Sequence, residues 1–443
     1  VETGEALDPA PAALEKRIKR AVLPGGLRVA LLPKGTRGNR VQASLTLRFG
    51  DEKSLAGLNA VAQMTDALLL RGTKSKSRQQ LQDEMQKLNA TINVGGGGLA
   101  SVSANISTTA ENLIPALRLA VEILREPAFP ESDFDQIKKQ RINQIERGRT
   151  EPNTLVNQTL QSNLSPYPRT DVRHVRTIDE EIEDLNKVTL DDVVKFHKAF
   201  YAPSHGELIV VGKFDSAVVE REANELLGSW KSQALYPYTR IVNNYKEVQR
   251  INTKIETPDK ENALFSAGLR LRMKDTDPDY AAMVMANYMF GGGITARLPD
   301  RVRNREGYSY SVSSNFNAPV EGDAAVFSAS AISNPANSPK VEASFIDELT
   351  KTLRDGFTAA ELTAAKKALR DDRIGARSSD NGVLNLISAR EQYGRTLAWD
   401  EEMDAKLQAL TLDQVNAAFR RHVSVGQVSI VKGGDFKRAS VYQ

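Results

Sequence analysis

Four histidines, His174, His197, His205 and His422, are the first residues to test for chemistry. None has a second His or a Glu three or four residues away, the spacing that puts two metal ligands on one helix face. The bland reading is four surface or hydrogen-bonded core histidines. There is no cysteine, which excludes disulfides, thiolate metal sites and Cys nucleophiles. No Gly-x-Ser-x-Gly elbow presents a nucleophilic serine. The run Gly95–Gly98 lacks the Lys-Ser/Thr pair and the helix start that a phosphate cradle needs, so it reads as a connection between two strands. With 56 acidic residues, no carboxylate pair stands out.

The elements that must carry any site repeat themselves. Val188-Thr189-Leu190-Asp191 matches Leu410-Thr411-Leu412-Asp413. In each copy a Thr N-cap is followed three residues on by Asp192 or Gln414, a capping-box pattern. Each helix then runs into a strand, Glu207–Val211 or Gln427–Val431. Upstream, each half opens with two strands: Leu27–Pro33 and Val41–Phe49, then Ile251–Thr257 and Ala263–Met273. A helix follows (Leu58–Leu70, Asp279–Phe290), then two strands (Ala90–Val94 and Ser101–Ile106; Tyr308–Asn315 and Ala324–Ile332). Long helices come next (Ala110–Arg125, Glu131–Arg149; Pro339–Arg354, Ala359–Arg373). The pattern predicts an α+β protein of two homologous domains, each a mixed or antiparallel sheet packed by helices on one face. Residues 1–19, polar and with two prolines, read as a flexible lead-in. The repeats then span 20–231 and 246–443, joined by a linker at 232–245.

The 443 residues carry 26% charged side chains and a net charge of +3, which gives no reason to expect nucleic acid. No apolar run reaches the roughly 20 residues of a membrane helix. The chain opens on Val1 rather than Met. With the absence of cysteine, this leads us to expect a removed leader and a periplasmic or otherwise exported protein, with the cytoplasm as the alternative.

Two local motifs, together with the repeat, resemble the pitrilysin/insulinase family of inverted-motif zinc peptidases over nearly the whole chain. In that family a helix ending in a Lys/Arg-Gly-Thr turn carries H-x-x-E-H. Here the helix preceded by Gly57-Leu58 ends in Leu70-Arg71-Gly72-Thr73, with Gln63, Asp66 and Ala67 at the His, Glu and His positions. The third ligand falls near Gln144 or Glu146. An amide and a methyl cannot replace two imidazoles, so no metal is expected in this chain. The second half keeps its motif. Gly291-Gly292-Gly293-Ile294-Thr295-Ala296-Arg297-Leu298 and Arg303…Tyr310 match the family's glycine run and Arg/Tyr pair, with Tyr308 as an additional tyrosine beside it.

The resemblance implies half of a clamshell. This chain would be the zinc-free subunit of a heterodimeric metallopeptidase. Its partner would be a homologous subunit bearing H-x-x-E-H and the zinc. Arg303 and Tyr310 would bind peptide and stabilise the tetrahedral intermediate, with Tyr308 as a further substrate contact. A catalytically silent scaffold and a non-cleaving peptide binder are the alternatives. Taken without the resemblance, Arg303 would be a helix-end ion pair and Tyr310 a half-buried sheet residue.

Overall fold

The repeat in the sequence returns as a repeat of strand order. The computed structural model describes residues 3–96, 98–230, 236 and 238–441. Six strands precede the expected linker: β1 (Lys19–Val22), β2 (Arg28–Pro33), β3 (Arg40–Arg48), β4 (Thr91–Gly95), β5 (Ser101–Thr109) and β6 (Glu207–Gly212). They form one sheet in the order β1-β2-β6-β3-β5-β4, in which only β2 and β6 run parallel. Five follow it: β7 (Asn252–Glu256), β8 (Ala263–Arg272), β9 (Ser311–Asn317), β10 (Ala324–Ser333) and β11 (Ser429–Gly434). Their order is β7-β11-β8-β10-β9, again with one parallel pair, β7 and β11. Without β1, the two orders are the same. β2 lies beside β6 and β7 beside β11, so in each half an early strand meets the last one and the chain must complete the whole repeat before closing its sheet. Two mixed sheets with flanking helices are the α+β architecture expected.

The helices that lead into β6 and β11 begin as their sequences dictate. Thr189 accepts the N–H of Asp192, whose side chain accepts the N–H of Thr189, at 3.1 and 2.9 Å. Thr411 and Gln414 do the same at 3.2 and 2.9 Å. Each reciprocal cap satisfies two of the orphan donors at a helix start.

Helices cover both faces of each sheet, not one. In the second unit Phe265 meets Phe345 of helix Ser338–Asp355, with ring centroids 5.3 Å apart. Leu264, the next residue of β8 and therefore on the opposite face, packs against Val156, Leu160 and Leu164 of helix Pro152–Leu164. In the first unit Ala30, Leu32, Ile209 and Val211 pack against Val383, Leu384 and Ile387 of helix Asp380–Glu391. Leu208 and Val210 are buried on the other face. This explains why β3 buries Ser44 and Thr46 as well as Val41, Ala43, Leu45 and Leu47.

Each second-face helix comes from the other half of the chain. One unit comprises Val1–Asn143, Glu181–Ile241 and Arg373–Glu401; the other comprises Gln144–Glu180, Val242–Asp372 and Glu402–Gln443. The units therefore do not coincide with the two sequence repeats. Of the linker expected at 232–245, residues 232–235 and 237 lie outside the described residues. Asn243 bridges to Gly322 within the second unit.

Within the stretch expected as a flexible lead-in, 1–19, the described residues include ordered structure. Pro11–Arg17 is a helix with Pro at its first position, and Leu14 is fully buried in the cluster of Ala30, Leu32, Ile209 and Ile387. Pro11 suits the first turn because a helix needs no N–H donor there.

Candidate functional site

The motif of the second unit is built on two π turns. Helix Tyr280–Asn287 passes directly into a π turn, Tyr288–Gly292, closed by the Gly293 N–H on the Tyr288 carbonyl at 2.9 Å. Phe290 anchors it, with ring centroids 5.9 Å from Phe327 and 5.9 Å from Phe419. Gly291 is required by proximity. A Cβ there would stand 2.3 Å from the Ser314 hydroxyl and 2.7 Å from the Ser314 nitrogen on β9. The chain then turns through Ile294 into the short helix Arg297–Pro299 and a second π turn, Asp300–Arg305. That turn closes with the Glu306 N–H on Arg301 O at 2.9 Å. Tyr308 donates its N–H to Val302 O at 2.9 Å, so β9 begins at Ser311 instead of the expected 308. Single π turns often mark functional sites.

Four arginines occur in this segment, and three are locked. Arg297 grips Glu361 at 2.8 and 2.5 Å and lies 4.9 Å over the Phe357 ring. Arg301 bonds Glu306 and Asp347 at 2.6 Å each and Glu348 at 3.1 Å. These three carboxylates raise its already high pKa, against the opposing effect of burial. Arg305 bonds Asp300 at 2.9 Å. Arg303 is exposed and has no ion pair, hydrogen bond or ring partner among the described residues.

Tyr310, immediately before β9, is 63% exposed. Its backbone N–H is held by Ile332 O at 3.0 Å, while its hydroxyl has no partner among the described residues. Tyr308 is half-buried, with the Lys340 ammonium 5.4 Å from its ring centroid. A guanidinium and a phenol are thus left open toward solvent, where an oxygen-rich ligand can take them up.

The first unit holds the degenerate metal positions. On helix Asn59–Leu68, Val61, Ala62, Met64, Thr65 and Leu68 face the core. Gln63 is exposed, and Asp66 and Ala67 are half-buried. Asp66 accepts the Tyr201 hydroxyl at 3.1 Å. Burial pushes its carboxyl up to about 6, the Tyr201 hydrogen bond and the Arg141 charge opposing only part of that. Ala67 offers no donor atom. Among the described residues no group of three or more His, Asp and Glu side chains is placed to hold a metal. This donor set does not fit a zinc ion. Gln144 and Glu146 are exposed, and Glu146 is engaged by Arg149 at 2.5 Å.

The histidines serve the fold. His174 sits between Tyr167 O at 2.8 Å and Glu180 at 3.1 Å. His197 bonds Leu124 O at 2.6 Å, and burial lowers its pKa. His422 bonds Asp279 at 2.7 Å. His205 lies 5.7 Å from the Tyr238 ring.

Residues 187–369 match the family model described as peptidase M16 inactive domain. An uncharacterized zinc protease of Streptomyces coelicolor is 25% identical over 424 residues, 91% of this chain and 86% of that protein. The solved peptidase M16 inactive domain from Pseudomonas fluorescens superposes with a TM-score of 0.81 at 23% identity, covering 94% of this chain and 97% of that one. The chain is similar to M16 peptidases over nearly its whole length, and the M16 family model itself matches within it. The non-peptidase homolog YmxG of Helicobacter pylori is 22% identical over 74% of this chain and 76% of its own length. This chain has an amide at Gln63 and a methyl at Ala67 in place of two imidazoles, which accords with those names.

Sequence reasoning named Arg303, Tyr308 and Tyr310 but missed what distinguishes them. Glu361, which holds Arg297, and Asp347, which helps to hold Arg301, lie on helices 64 and 46 residues away in sequence. Which arginine is free therefore depends on tertiary structure. Asp66 was visible as a lone carboxylate. Its partner Tyr201 is 135 residues distant, with no local signal.

Proposed function

We propose that this chain is the zinc-free subunit of a two-chain M16 metallopeptidase. In this reading a homologous subunit bearing H-x-x-E-H brings the metal and the attacking water. The present chain brings Arg303, Tyr310 and part of the wall that encloses an unfolded peptide. The observation that carries the reading is the selective freedom of Arg303. Its three neighbours are neutralised by carboxylates; among the described residues it alone of the four keeps its donors available, and the Tyr310 hydroxyl is likewise unpartnered.

When water adds to a peptide carbonyl, negative charge gathers on the oxygen. A phenol O–H and a guanidinium fixed in a water-poor chamber stabilise that charge more than the uncharged ground state. One such preorganised donor contributes on the order of 3 kcal/mol. The half-occupied Tyr308 ring would form the flank of this subsite. Arg303 and Tyr310 are exposed, so their side chains contribute little to folding.

The test is peptide hydrolysis by the purified chain, by its H-x-x-E-H relative from the same genome, and by the mixture. Activity confined to the mixture is expected. Tyr310→Phe or Arg303→Ala should then lower kcat roughly a hundredfold, with the zinc content of the complex and the unfolding midpoint of the chain unchanged. If the relative alone is fully active and mixing changes nothing, the scaffold reading takes its place.

A further inference from the structure

A cavity of about 240 Å³ opens at the β7 edge of the second sheet, within one unit. The chain from Pro335 to Pro339 forms one wall, and Phe436 and Ala439 of the last helix, Phe436–Val441, form another. Two lysines of the sheet complete it. β7 and β11 run parallel with Lys254 paired to Lys432. Their side chains therefore leave the same face of the sheet side by side, and both line the cavity.

Two adjacent ammonium groups repel, and only one of them is answered. Lys432 lies 2.7 Å from Glu342 Oε1 and donates to Asn252 Oδ1 at 2.5 Å. Lys254 has no carboxylate partner among the described residues and stands 5.5 Å from the Phe436 ring centroid. Ser338 gives a second, independent sign. It is 3% exposed, yet its hydroxyl has no hydrogen-bond partner among the described residues. Buried hydroxyls are nearly always paired, and the open space beside this one is the cavity that it lines. Ser338 also begins helix Ser338–Asp355, and Asn337 before it makes no side-chain cap. The positive end of an 18-residue helix thus meets the same space.

We propose that this cavity binds a small organic monoanion, a carboxylate on a flat apolar body. Lys254 and the Ser338 hydroxyl take the carboxylate oxygens. The body lies against the Phe436 ring and the two prolines, Pro335 and Pro339. Charge sets the valence. Glu342 already compensates Lys432, which leaves one ammonium to answer and favours a single negative charge over two. Volume sets the size. The cavity is smaller than the roughly 300–1,000 Å³ of sites for drug-sized ligands, which limits the occupant to about one ring and its head group. The Arg303–Tyr310 segment leads into β9, the other edge strand of this sheet. The inference therefore stands apart from the peptidase-subunit reading and survives its failure.

The experiment is an NMR titration of four probes with the full chain at fixed ionic strength, read on the signals of the probe. Benzoate carries head and body, benzamide the body without charge, acetate the head without body, and phenyl phosphate a second charge. Benzoate is expected to bind at least tenfold more tightly than benzamide or acetate, and more tightly than phenyl phosphate. Lys254→Met should weaken benzoate about tenfold with the unfolding midpoint unchanged, because Lys254 is exposed. Ser338→Ala should weaken it severalfold. Ala439→Trp keeps every charge and fills the space with an apolar ring, so it should abolish binding and separates a built cavity from a general attraction of anions to lysine. No binding of benzoate to the unaltered chain, benzamide binding as tightly as benzoate, or full affinity in Lys254→Met or in Ala439→Trp would overturn the proposal. Tighter binding of phenyl phosphate would overturn the assignment of a single charge.

Discussion

Asp66 stands where the resemblance places a catalytic carboxylate, but here it is a burdened side chain. Its pKa of about 6 lies above the ordinary carboxylate value, because burial disfavours the charged form. Between about pH 4 and 6 the unfolded chain has released this proton while the folded chain retains it. Stability contributed by the group is therefore present below about pH 4, falls as pH rises to 6 and is level above that. Asp66→Asn, which keeps an acceptor for Tyr201, should remove this fall and stabilise the chain at pH 8 by up to about 3 kcal/mol. Thermal unfolding of both proteins at pH 4 and pH 8 measures it, and equal differences at the two values would refute the assignment. At this scale the sequence disclosed which residues occupy the motif positions. It withheld their environments, since the burial of Asp66 and the freedom of Arg303 depend on partners many tens of residues away.

Legibility improves for elements, where short-range forces decide. The caps at Thr189 and Thr411 could be read from four residues each because all their hydrogen bonds are local. Thr189→Ala and Thr411→Ala should each cost about 1 kcal/mol in denaturant unfolding. Helix Pro11–Arg17 shows the opposite case. Its composition resembles a loose leader, and only the cluster around Leu14 reveals its role. Leu14→Ala is expected to destabilise the chain by about 2–5 kcal/mol, although it lies close to the chain start. An unfolding midpoint within error of the parent would show that the leader reading was right. The same limit hid the second-face helices. Residues 152–164 and 380–391 carry apolar spacing suited to packing, but nothing local states which sheet they will cover.

For the whole molecule, the repeat predicted two similar α+β halves, each with its own sheet. It did not predict that each would be finished by the other's helix. The measurable result is interdependence. A fragment ending near residue 236 lacks helix Asp380–Glu391, which leaves Ala30, Leu32, Ile209 and Val211 uncovered. The complementary fragment lacks helix Pro152–Leu164, which leaves Leu264 and Val431 uncovered. Either fragment alone should aggregate or bind hydrophobic dyes, and co-expression should restore a single cooperative unfolding transition. Independent folding of either fragment would contradict this. The exchange also bears on how such a chain could arise. A single repeat of about 220 residues would complete its sheet only by trading a helix with a second copy, as domain-swapped dimers do. Joining two copies end to end replaces an encounter in dilute solution with a tethered one at millimolar effective concentration. Such a fusion would also leave the two halves free to differ, as Gln63 and Ala67 in one and the Arg303…Tyr310 motif in the other do.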